Sequence, residues 1–115
     1  PVVHELVHLV LDNVMEGKYP LWFTEGVALY YEYKYLNFQW RSDLSQSAQK
    51  ITLEMLEKDF KSIDNGPSYR KSFEIIKYIV DTYSEAGLQR LISEMKNNAD
   101  FQSSYQKVFN SKPIW

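Results

Sequence analysis

The chain has 115 residues, 44% of them hydrophobic and 24% charged, with no cysteine, which is enough apolar material for one core and too little length for two. Thirteen basic and fifteen acidic side chains give a formal charge of −2, which makes electrostatic capture of nucleic acid or anionic lipid a poor first reading. Without cysteine there are no disulfides, no thiolate nucleophile and no thiolate metal ligand, and secreted and cytosolic origins both stay open.

The first element predicted in chain order runs from Val2 to Met15. Val2, Val3, Leu6, Val7, Leu9, Val10, Leu11, Val14 and Met15 make it apolar around almost its whole circumference, the pattern of a buried helix. Three of its polar exceptions, His4, His8 and Asp12, repeat every four residues and share one face. A polar stripe on a buried helix needs a chemical reason. Because Pro1-Val2-Val3 leads straight into His4 with no introductory loop or cap, the expectation is a fragment of a longer protein whose upstream half is absent.

Gly17-Lys18-Tyr19-Pro20 breaks this helix and admits a second from about Leu21 to Leu36. The short turn predicts that the two pack as antiparallel neighbours. Residues 37–48 are polar and aperiodic and read as a loop. A third helix spans Ile51 to Phe60, and Asp64-Asn65-Gly66-Pro67 is the strongest turn signal of the chain. Phe73, Ile76, Ile79, Val80 and Tyr83 mark a fourth helix, while Gly87 opens a fifth carrying Leu88, Leu91, Ile92 and Met95. Phe101, Tyr105, Val108 and Phe109 define a last helix after Asn97-Asn98. No β alternation, internal repeat or run of roughly 18 apolar residues appears. The expected fold is all-α, about six helices in a single domain over residues 1–115, with no membrane span and no nucleic-acid partner.

Both histidines fall in His4-Glu5-Leu6-Val7-His8, the H-E-x-x-H pattern on a helix. Slightly more than one turn separates them, so two imidazoles point the same way and can give two nitrogens to one tetrahedral zinc at about 2.0–2.1 Å. Glu5 stands beside the first ligand, placed to take a proton from water and pass it to a leaving amine. The chemistry implied is amide hydrolysis of a peptide or protein substrate. A catalytic zinc needs a third protein ligand, and Glu25 supplies a carboxylate in the otherwise apolar first turns of helix two. The small residues Gly26 and Ala28 after it are expected to let helix two approach the zinc helix closely.

His4-Glu5-x-x-His8 followed by Trp22-Phe23-Thr24-Glu25-Gly26-Val27-Ala28 resembles the gluzincin metallopeptidases, especially peptidase MA-like domains related to the M1 aminopeptidases. The resemblance implies Zn2+ as cofactor, His4, His8 and Glu25 as its ligands and Glu5 as general base. It implies the helical half of a thermolysin- or M1-like domain, with the upstream β-sheet of those families absent. Tyr69-Arg70-Lys71-Ser72 is similar to the Y-x-K-G segment of M1 enzymes, which makes Tyr69 the expected oxyanion donor. The chain departs from that pattern in a slightly shorter interval between His8 and Glu25, and in Ser72 where the family has glycine. Glu32, seven residues beyond Glu25 on the same face, matches a glutamate common in M1 relatives and is a candidate partner for a ligand imidazole, as is Asp12 four residues after His8.

Tyr30, Tyr31, Tyr33, Tyr35, Phe38 and Trp40 read as helix packing ahead of a substrate cleft, and Glu54, Glu57, Lys58, Asp59 and Lys61 as a solvated face. Two functions follow from the sequence: a zinc peptidase, and a non-catalytic helical interaction or structural module that retains a zinc site.

Overall fold

The computed structural model describes residues 2–15, 19–37, 41–60 and 65–115, with the backbone alone described at 12–15, 59 and 65. Among these residues there are six α-helices and no strand, and no helix is long and apolar enough to cross a membrane. The helices are α1 (Val2–Met15), α2 (Leu21–Leu36), α3 (Ser45–Ala48), α4 (Leu53–Asp59), α5 (Asn65–Asn97) and α6 (Phe101–Phe109), with a 3-10 turn at Ser42–Leu44 before α3.

α2 is the centre of the molecule. Pro20 fixes the entry with φ −57° and its carbonyl accepts the N–H groups of Phe23 and Thr24, while Asn37, at φ 53°, ends the helix in the left-handed conformation. Trp22, Phe23, Gly26, Val27, Ala28, Leu29, Tyr30 and Glu32 are all buried, so this helix meets neighbours at nearly every angle, α5 and α1 above all. Burial of its large side chains against Phe73, Ile76, Leu88, Leu91 and Phe101 supplies the main apolar driving force, about 1.5–3 kcal/mol for each large side chain removed from water. Trp22 and Phe101 meet edge to face at 4.8 Å between ring centres.

The expected antiparallel pairing of the first two helices is seen directly: His4 touches both Glu25 and Glu32, whereas His8, further along α1, reaches Glu25. Three expectations are corrected. α1 is covered on one side only, with Val2 and Leu6 exposed and Leu9 and Val10 at 58% and 57% exposure, while Leu11 is buried and Val7 packs against the core. Residues 37–48 are not all loop, since Ser42–Leu44 and Ser45–Ala48 form short helical turns. Gly26 makes its close approach to α5, not to α1, as its nearest neighbours are Ser72 and Ile76.

The helices expected at Phe73–Tyr83 and from Gly87 are two limbs of α5, separated at Ser84 (φ 70°, ψ 172°). Gly66 and Pro67, expected in a turn, lie in the first turn of α5, where proline's missing N–H costs no hydrogen bond; Asp64 lies outside the described residues. Thr52 and Asp100 cap α4 and α6 by accepting the N–H groups of Met55 and Ser103.

Candidate metal centre

α1 contributes two imidazoles because His4 and His8 are one turn apart on the flank that faces α2; their ring centres are 4.9 Å apart. α2 contributes Glu25 from its second turn and Glu32 from two turns on. His8 Nε2 lies 3.2 Å from His4 Nε2 and 3.0 Å from Glu25 Oε1, while His4 Nε2 is 3.1 Å from Glu25 Oε2. One donor atom from each of His4, His8 and Glu25 thus falls within 4.8 Å of the others. The three side chains are 14–24% exposed, reachable from solvent yet mostly screened by protein.

Donor atoms bound to one tetrahedral ion at about 2.0–2.1 Å stand roughly 3.3–3.4 Å from one another. The observed separations of 3.0–3.2 Å need only small outward shifts to reach that spacing. Two imidazole nitrogens and one carboxylate also match the ligand chemistry of borderline divalent ions, so these residues fit a metal.

The other imidazole nitrogen is already committed. His4 Nδ1–H donates to Glu32 Oε1 at 2.6 Å, and Glu32 is 4% exposed at its side chain. That bond directs Nε2 toward His8 and Glu25. The hydrogen bond to Glu25 raises the His4 pKa from 6.5 to about 9, with Glu32 adding to it and partial burial opposing it.

Of the remaining sequence candidates, Glu5 is exposed on α1 beside Val2, Leu6 and Leu9. Tyr69 is half-buried in the first turns of α5 with its ring edge-on to Phe60 at 5.0 Å; burial, and then the charge of Glu25, push its hydroxyl pKa upward. The Asp12 side chain, and Phe38 and Trp40 of the aromatic run, lie outside the described residues. Tyr30 is buried and Tyr33 packs partly buried against the core, while Tyr31 and Tyr35 stack and line an apolar groove of about 410 Å³ shared with Val7 and Leu11 of α1. The sequence did not reveal a partly buried ion pair next to Tyr69: Arg70 Nε donates to Glu74 Oε2 at 3.0 Å, and Ser45 Oγ donates to the same oxygen at 2.6 Å. Its one legible signal was the Arg70–Glu74 spacing of four residues.

A helical domain in which an H-E-x-x-H helix and a glutamate of the following helix converge on one point has the organisation of a metallopeptidase-like protein. The chain belongs to the peptidase MA superfamily, whose family model matches residues 1–111. No curated protein and no solved structure matches it.

Proposed function

We propose that this chain is the metal-binding domain of a zinc-dependent peptidase of the gluzincin type, related to the M1 aminopeptidases. The observation that carries the reading is the convergence of His4 Nε2, His8 Nε2 and Glu25 within 4.8 Å. Bound there, zinc supplies the Lewis acidity that lowers the pKa of a water toward about 7 and polarises a substrate carbonyl.

The remaining work falls to side chains of this protein. The Glu5 carboxylate accepts a proton from the attacking water as its oxygen bonds to the carbonyl carbon, then returns that proton to the amine nitrogen as the C–N bond breaks. The exposure of Glu5 supports this role, because a general base must be open to water and substrate. The Tyr69 hydroxyl donates to the oxyanion formed at the carbonyl, an interaction worth about 10²–10³ in rate. Glu32 holds His4 in the tautomer that turns its Nε2 lone pair toward the centre.

The test has two readings. Purified protein dialysed against zinc is expected to retain about one equivalent, lost in His4→Ala and Glu25→Ala. Wild type is expected to cleave a mixed peptide library that Glu5→Gln leaves intact; equal cleavage by both removes Glu5 from its role. The alternative, a non-catalytic interaction module that keeps its zinc, draws support from the exposed apolar side of α1, and bound zinc without cleavage by either protein would favour it.

A further inference from the structure

The close approach of Gly26 to α5 lies directly beside the third candidate ligand. A Cβ at Gly26 would stand 2.5 Å from the Ser72 carbonyl oxygen and 2.9 Å from Ile76 Cγ1. The first of these is backbone inside a helix, which cannot rotate aside as a side chain can. Ser72 is itself fully buried and its Oγ donates to the Ser68 carbonyl at 3.0 Å, so this stretch of α5 is tied along its own axis.

Glu25 precedes Gly26, and Tyr69 precedes Ser72 by three residues, hence on the same side of α5 one turn back. The spacing of α2 and α5 at one backbone contact therefore sets how far the Tyr69 ring stands from the Glu25 carboxylate. We infer that Gly26 is a positioning residue: the absence of a side chain there holds α5 close enough to α2 to bring the Tyr69 hydroxyl to the metal centre. Burial first, and then the charge of Glu25, push the Tyr69 hydroxyl pKa upward, and the second of these agrees with that proximity. The inference rests on the metal-site reading and adds a residue that binds neither metal nor substrate. A displacement of only about 1 Å at such a group can cost about 10²-fold in rate, so a contact outside the ligand set acquires a catalytic consequence.

The experiment uses the protein labelled with fluorotyrosine and loaded with cobalt(II), whose paramagnetism shifts nearby fluorine resonances more strongly the closer they lie. The Tyr69 signal is assigned by its loss in Tyr69→Phe. In wild type the Tyr69 signal is expected to shift on cobalt binding. In Gly26→Ala that shift is expected to shrink, while cobalt affinity and the shifts of Tyr30 and Tyr31 on α2 stay as in wild type. Ile79→Val, a change in the buried face of α5 two turns beyond Ser72, is expected to leave the Tyr69 shift intact and so separates position from general loosening. Should Gly26→Ala not fold, Gly26→Ala with Ile76→Ala, which removes the second close neighbour, takes its place. Equal Tyr69 shifts in wild type and variant overturn the inference alone. A wild-type Tyr69 signal that ignores bound cobalt overturns it together with the catalytic role of Tyr69.

Discussion

His4 sits between two carboxylates, and that arrangement couples protons to both metal binding and folding. In the metal-free protein its pKa is raised to about 9 from 6.5, first by Glu25 and then by Glu32. A raised folded-state value means the contribution to stability is complete below about pH 6.5 and is lost as pH climbs through about 9. Metal-free protein should therefore unfold at lower urea as pH rises across that window, while apparent zinc affinity rises over the same window because the metal competes with the Nε2 proton. Calorimetry in buffers of different ionisation enthalpy should show proton release on zinc binding. Glu32→Gln keeps the shape but removes the charge behind His4, and should weaken zinc by about 10–100-fold; an unchanged affinity would leave Glu32 a packing residue. The clustering of His4, His8 and Glu25 was legible because H-E-x-x-H is a local pattern and Glu25 a carboxylate among apolar neighbours. The partner that Gly26 approaches was not, since nothing in a local sequence states which of two packed helices comes closest.

At the scale of elements, helical periodicity gave most of the chain: α1, α2, α4, α6 and the second limb of α5 fall within a few residues of their expected spans, while the first limb starts two turns earlier, at Asn65. The short turns at 42–48 escaped because five of their seven residues are polar and show no helical period. The break in α5 was seen but misplaced. Gly87 offered the usual signal of a helix boundary, yet the left-handed residue is Ser84, at φ 70° and ψ 172°, a region nearly confined to glycine. Gly87 instead sits where space is short, with a Cβ there 2.6 Å from Tyr83 Cβ. Strain of this kind costs about 1–3 kcal/mol, partly offset by the greater freedom of glycine in the unfolded chain. Ser84→Gly should accordingly raise stability by about 1 kcal/mol in urea unfolding, and a loss of stability would show that Ser84 is held there by favourable contacts.

At the scale of the whole molecule, Trp115 is tied to residues far from it in the chain. The Leu53 N–H donates to the Trp115 carbonyl at 3.1 Å, and the Trp115 ring meets Tyr78 and Tyr105 edge-on at 5.1 and 5.9 Å. One hydrogen bond and two aromatic pairs suggest that deleting residues 111–115 lowers stability by about 2–3 kcal/mol, seen as a lower urea midpoint; a midpoint equal to wild type would contradict that tie. The all-α architecture was legible from composition and period. The one-sided burial of α1 was not, because an apolar circumference specifies what a helix avoids and not which of its faces this chain covers. The same architecture brings residues 4, 8, 25 and 32 together from two helices.

The most direct test is an anomalous difference map at the zinc edge from crystals of the zinc-loaded chain. The metal-centre reading predicts one peak about 2.0–2.2 Å from His4 Nε2, His8 Nε2 and a Glu25 oxygen. A folded chain with no peak there, or with zinc bound by other residues, would contradict it.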